Sequence, residues 1–247
     1  MEAILAFRNL TKAYGSRTVL KGITLELAAG QILGYFGLNG AGKSTTNRIA
    51  LGFARPTSGE GTLFGYPTGD PRALARAGYL PENPFYYEYL TGRELLDYAA
   101  RLHRLRGCIR GAKIDAAADR VRLAGEALDR PIRTYSRGMR QRLGLAQALV
   151  GDPAFLLLDE PFSGLDPVGR AMLKDLLREF RAGGGTVFFS SHQLLDAAEV
   201  CDRAAILHRG VLAADEPLAQ LMARHPGKTL EQIFLAQVGQ DAASDRD

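Results

Sequence analysis

The sequence predicts an α/β fold with a mainly parallel sheet, an N-terminal antiparallel β subdomain and an inserted α-helical subdomain. Three observations predict it. Short strand-like segments crowd the first 36 residues. The apolar runs at 155–158 and 186–190 are each flanked by helical pattern, as are parallel strands buried on both faces. Residues 83–150, between these regions, read as a mostly helical insertion, its stretch from Arg101 to Arg133 rich in Ala, Leu and Arg and poor in β-formers.

In chain order, residues 4–7, 19–20, 23–27 and 31–36 read as strands, separated by turn residues such as Gly15-Ser16 and Ala29-Gly30. A helix is expected from the end of the glycine-rich loop to about Gly52. Thr91-Gly92-Arg93-Glu94 has the form of a capping box, and Leu95, Tyr98, Leu102 and Leu105 follow at helical spacing. Helical character is expected to continue from Arg101 to Arg133. Asp166-Pro167 reads as a helix start, with Asp as N-cap and Pro at the first helical position. Two further strands fit residues 204–207 and 211–214. Thr229-Leu230-Glu231-Gln232 caps a last helix. From Gln240 onward the chain is polar and expected to fray.

The most informative segment is Gly37-Leu38-Asn39-Gly40-Ala41-Gly42-Lys43-Ser44, which matches G-x-x-x-x-G-K-[ST]. Its glycines let the backbone curl so that successive N–H groups point inward at phosphate oxygens. A helix beginning beside the loop adds its positive dipole end. Lys43 can reach the outer phosphates, and the Ser44 hydroxyl can ligate Mg²⁺. A nucleoside triphosphate, ATP above all, is the expected ligand.

A second acidic site lies further on. The strand 155–158 runs into Asp159 and Glu160. Asp159 can hold Mg²⁺ directly or through water. Glu160, one residue further out, can orient or deprotonate the attacking water.

The order of these motifs identifies the chain as similar to a known family. Tyr135-Ser136-Arg137-Gly138-Met139-Arg140-Gln141-Arg142, just before the acidic strand, resembles the LSGGQ signature of ABC (ATP-binding cassette) transporters. Over nearly its whole length the chain resembles their nucleotide-binding subunit, with a P-loop NTPase core. The resemblance implies a single ATPase domain over residues 1–238, with the helical subdomain at 83–150 inserted in it and a polar tail at 239–247. It implies ATP contacts from Tyr14, Gly37, Asn39, Gly40, Ala41, Gly42, Lys43, Ser44, Thr45 and Glu82. Tyr14 stands where such proteins stack a ring on adenine. Ser136 and Gly138 would contact the γ-phosphate held by a second copy. Mg²⁺ would be held by Ser44, Glu82 and Asp159. Lys43, Glu160 and His192 would carry catalysis, His192 in Ser190-Ser191-His192 matching the switch histidine. Ser163-Gly164-Leu165-Asp166 matches the loop that crosses the dimer interface.

Three positions depart from the family pattern: Glu82 replaces a glutamine, Leu38 a proline and Arg137 a glycine. Leu80-Pro81-Glu82, Tyr135-Ser136-Arg137-Gly138-Met139 and the segment 229–235 together resemble ATPases of ABC-2-type exporters. The implied function is ATP hydrolysis powering a separately encoded membrane permease through closure of a dimer, on the cytoplasmic face of the membrane. Glu82, Tyr86, Tyr87 and Tyr89 would lie near the permease contact. The alternative is a non-transport ATPase acting on ribosomes or DNA, but its relatives carry paired cassettes or long coiled coils.

Composition bounds the rest. With 247 residues, 46% of them hydrophobic, the chain can bury a large core, as one big domain or two small ones. A net charge of +4 describes a solvated, mildly basic surface and gives no argument for nucleic acid. Two cysteines, Cys108 and Cys201, make no disulfide framework. No apolar stretch is long enough to span a bilayer, and no signal peptide is expected.

Overall fold

The structure, a computed structural model, describes residues 3–123 and 125–239. The tail expected from Gln240 lies outside the described residues. Strands β1 (Ala3–Tyr14) and β2 (Arg17–Ala28) form a long antiparallel hairpin around Gly15-Ser16. The separate segments expected at 19–20 and 23–27 are thus parts of one strand. Leu10 pairs with Ile23 and Thr11 with Lys21, so Gly22 is a bulge within β2 and not a turn. After β3 (Ile32–Phe36) and α1 (Lys43–Ala50), the chain adds β4 (Ser58–Leu63) beside β1, and β5 (Tyr66–Pro67) beside β4. These complete a four-stranded antiparallel sheet in the order β2-β1-β4-β5. A short helix, α2 (Pro71–Leu74), and β6 (Ala77–Leu80) follow. The segment from β4 to β6 gave no sequence signal, because Ser58-Gly59-Glu60-Gly61 has no alternating apolar positions.

A second sheet has β3 near its centre. Its strands are β7 (Phe155–Asp159), β8 (Thr186–Ser191), β9 (Arg203–His208) and β10 (Val211–Pro217), ordered β10-β9-β3-β8-β7-β6. All neighbours are parallel except β10 with β9. Every residue of β3, β7 and β8 is buried. Leu33, Tyr35, Phe155, Leu157 and Phe188 face α1 and the antiparallel sheet. Ile32, Phe36, Leu156, Leu158, Val187 and Phe189 face the helices on the other side. Burial on both faces is why these strands read as unbroken apolar runs.

The helices are α3 (Gly92–Leu102), α4 (Gly107–Arg120), α5 (Arg137–Leu149), α6 (Pro167–Ala182), α7 (Leu194–Ala198), α8 (Leu218–Arg224) and α9 (Leu230–Gly239). The Thr91–Glu94 capping box forms, as do the Asp166 cap and the reciprocal Thr229–Gln232 bonds. Helical character does not persist from Arg101 to Arg133. Helix α4 ends at Arg120, Arg122 turns left-handed at φ 52°, and Pro131 precedes only a short 3₁₀ turn. Of the two cysteines, Cys108 is exposed and Cys201 is buried, where burial pushes its thiol up to about 12. Among the described residues, no helix is long and apolar enough to cross a membrane.

Strand β6 and helix α5 approach unusually closely. A Cβ added at Gly78 would lie 2.1 Å from the Ala148 carbonyl oxygen, and one at Gly144 would lie 2.5 Å from Leu80 Cδ1. Gly78→Ala is therefore expected to lower stability by about 1–3 kcal/mol, the usual cost of overpacking. Denaturant unfolding of the two proteins checks this, and an unchanged midpoint would contradict the close packing.

Candidate nucleotide site

The parallel sheet delivers its chemistry at its carboxyl edge, where open α/β sheets bind ligands. Strand β3 leads into the phosphate loop and α1, β6 toward Glu82, β7 into Asp159 and Glu160, and β8 into His192. A cavity of about 260 Å³ opens there. Asn39, Gly40, Gly42, Lys43, Ser44, Thr45, Glu82, Asp159 and Glu160 line it. Nine of the expected residues are thus brought together. Arg17 and Val19 join them from the β1–β2 hairpin, unforeseen from sequence.

The loop takes its shape from Gly42, whose φ of 119° no side-chain-bearing residue adopts comfortably. Lys43 is buried and donates to the Gly37 carbonyl at 2.6 Å, with Glu160 Oε1 3.5 Å away. Helix α1 is tied to the sheet by a buried strut. The Thr46 hydroxyl donates to the Gly42 carbonyl, so the Tyr35 hydroxyl, 3.2 Å away, donates to Thr46. Burial raises the Tyr35 phenol well above the usual tyrosine range, which keeps it a donor.

Glu160 sits at φ 50°, in the left-handed region, at a cost of order 1–2 kcal/mol for a residue with a Cβ. Its surroundings hold it there. Its N–H donates to the Ser190 carbonyl at 3.0 Å, and its own carbonyl accepts from the Ser163 N–H at 3.0 Å. Its carboxylate Oε2 accepts from the His192 N–H at 3.1 Å and lies 2.8 Å from His192 Nδ1. The reversal turns the Glu160 carboxylate from the strand end back into the cavity, between Lys43 and His192. Asp159, also buried, accepts from the Ser190 hydroxyl at 2.5 Å.

Other expected residues lie elsewhere. Tyr14 is half-exposed on the hairpin end, with Lys12 Nζ 4.7 Å from its ring centre. Gly37 and Ala41 belong to the loop but do not line the cavity. Ser136 caps α5 by accepting from the Met139 N–H at 3.2 Å. With Gly138 it lines a separate cavity of about 460 Å³, bordered by Arg137, Arg142, Gly164 and Asp166. Arg137 donates to the Ser163 hydroxyl at 3.0 Å, and its side chain packs against Gly164. The residue that departs from the signature thus ties the signature to the Ser163–Asp166 loop. Of the expected aromatic cluster, Tyr86 is buried and donates to the Arg140 carbonyl at 3.0 Å, so it belongs to the core. Tyr87 and Tyr89 are exposed, and so is Phe85, at 93%.

Comparison with known proteins decides the family. The sequence profile of the ABC transporter family matches residues 20–163, more than half of the chain. The chain belongs to the ABC transporter family. An uncharacterized ABC transporter ATP-binding protein of Nostoc sp., all4389, is 44% identical over 204 residues, 82% of this chain. That stretch is 61% of the length of all4389, so the chain spans only part of this relative. The bacitracin transport ATP-binding protein BcrA of Enterococcus faecalis is 36% identical over 91% of this chain and 73% of its own length. A solved ATP-binding subunit of an ABC transporter superposes with a TM-score of 0.87 at 30% identity, covering 95% of this chain and 99% of that one. The ABC cassette fold, a mainly parallel sheet with an antiparallel sheet and helices around it, is the fold described above.

In this cassette the Tyr35–Thr46 strut makes unequal demands on its two partners. Tyr35→Phe leaves Thr46 bonded to Gly42 and is expected to cost about 1 kcal/mol. Thr46→Val strands a buried tyrosine hydroxyl and is expected to cost about 1–3 kcal/mol. The double variant should cost less than the sum. Chemical denaturation of the three variants checks the order, and equal single costs would contradict the donor assignment.

Proposed function

We propose that this chain is the ATP-hydrolysing subunit of an ABC transporter, acting as a pair of copies that powers a separate membrane permease, in export. The observation that carries the reading is the division of the site. The phosphate loop, Asp159 and Glu160 share one cavity, whereas Ser136 and Gly138 line another on the same chain. A nucleotide held by the loop is therefore only partly enclosed by one copy, and a second copy supplies the Ser136–Gly138 side.

Within the cavity the roles follow from chemistry. The backbone of residues 37–42 and the α1 N-terminus bind phosphate oxygens. Lys43 exchanges its loop carbonyl for a phosphate oxygen and leaves Glu160 free to accept a proton from the attacking water. His192, on the other side of Glu160, holds that carboxylate in place. Arg17 and Val19 extend the floor toward Tyr14, on whose ring adenine would stack.

The cavity fits a magnesium ion brought in with the nucleotide. Its donors are hard oxygens, the Ser44 hydroxyl and the Asp159 and Glu82 carboxylates, and the described residues hold no cluster of three or more His, Cys, Asp or Glu side chains placed to bind a metal. Such a sparse set suits an ion that keeps phosphate oxygens and water among its ligands. Bound there, Mg²⁺ would offset the charge on the transferring phosphoryl group.

The relatives' names, transport and bacitracin transport ATP-binding proteins, support the transporter reading. Phe85, Tyr87 and Tyr89 give an exposed aromatic patch just after Glu82, suited to docking a permease loop on the cytoplasmic side of the membrane.

Two outcomes are expected. Glu160→Gln should still bind ATP, hydrolyse it about a hundredfold or more slowly, and accumulate as a dimer in light scattering. Turnover at the wild-type rate would remove Glu160 from the role of base. The natural chain, affinity-purified from its own membranes, should bring down a hydrophobic permease, and recovery with ribosomes would overturn the export reading.

A further inference from the structure

Asp159 is held by a buried relay that reaches back to the phosphate-loop helix. Ser190 is fully buried and its hydroxyl has one proton. That proton goes to Asp159 Oδ1 at 2.5 Å, so Ser190 must accept from Asn47, whose Nδ2 lies 3.1 Å away. This chain of donors fixes the Asn47 amide: its NH₂ faces Ser190. Its Oδ1 is left buried without a hydrogen-bond partner in the protein. Asn47 is itself almost fully buried, on the same helix as Lys43 and Ser44, one turn further on.

An amide with a stranded oxygen is a poor choice for a plain helix–sheet contact. A leucine there would bury apolar surface and leave no acceptor unsatisfied. The amide instead does something a leucine cannot, which is to set the direction of the serine hydroxyl and, through it, the rotation of the aspartate.

We propose that Asn47 and Ser190 are positioning residues that hold Asp159 by one carboxylate oxygen, so that the other is presented to the divalent cation accompanying the nucleotide. The proposal rests on the nucleotide-binding reading above. It makes the cation site depend on the helix that also carries Lys43 and Ser44, so loop and carboxylate are set as one unit. Outer hydrogen bonds of this kind orient metal-binding carboxylates and tune their affinity.

The test is binding of a fluorescent, non-hydrolysable ATP analogue to the whole chain, first in EDTA and then across a magnesium chloride titration. Asn47→Leu and Ser190→Ala should bind the analogue in EDTA as the wild type does. Each should need about tenfold or more magnesium for the half-maximal gain in affinity. The double variant should be no worse than the single ones, because the relay is serial. Asn47→Leu should melt at or above the wild-type temperature. Unchanged magnesium midpoints in both single variants would overturn the proposal. So would weakened EDTA binding together with a lowered melting temperature, which marks mere support of the fold. A wild-type chain that binds no analogue even at saturating magnesium would instead overturn the nucleotide reading itself.

Discussion

The register of three parallel strands governs everything at the site. Phe36 of β3 pairs with Ser191 of β8, and Ser190 pairs with Asp159 of β7. This alignment brings the loop after Phe36, the two carboxylates and the residues before His192 to one edge at matching height. A slip by one residue would turn Ser190 to the opposite face and bury Asp159 among the apolar side chains of the other core. Unbroken apolar strands do not protect themselves against such a slip by alternation. The register is held instead from outside the strands, by packing on both faces and by polar bonds at the ends. The Ile32 N–H donates to the Asp202 carboxylate at 2.8 Å, and the Gly30 N–H donates to the Thr186 hydroxyl at 3.0 Å.

What the sequence made legible follows from where its information is local. The phosphate loop is a contiguous backbone motif, so Gly42, Lys43 and Ser44 announce themselves. Caps such as Thr91 and Asp166 are legible for the same reason. The acidic pair was legible because a buried apolar strand seldom ends in two adjacent carboxylates, and a phosphate loop upstream supplies a use for both. Contacts made across the fold were not legible. Arg17 and Val19 reach the cavity because a hairpin folds over the loop, and nothing in their neighbourhood marks them. Asn47 reads as an ordinary polar residue on a helix, and only the strand across from it accounts for its amide. Strand β4, paired with β1, escaped because glycines and exposed residues erase its alternation, and β5 and β6 because two and four residues are too short to show one.

The resemblance to the ABC family carried the residues that local chemistry could not, Ser136 and His192 foremost. The structure adds what the departures from the family pattern do. Arg137 stands where the signature has glycine, and a longer side chain here gains a hydroxyl partner in Ser163 and packs against Gly164. The exchange adds a bond between the start of α5 and that loop, beside the Gln141 bond to the Pro161 carbonyl and the Arg142–Asp166 ion pair. Glu82 keeps an oxygen donor at the cavity wall while adding a negative charge near Asp159 and Glu160, so that Lys43 and Arg17 share a cavity with three carboxylates.

The near contact of β6 with α5 has a mechanical meaning. Glu82 stands two residues beyond the end of β6, and Ser136 caps the start of α5. Where a strand and a helix pack backbone against backbone, with glycine in the gap, neither can slide without collision. Those two ends then behave as the two tips of a rigid rocker. In the pairing proposed above, a force that draws Ser136 toward a second copy would pass through this contact toward Glu82.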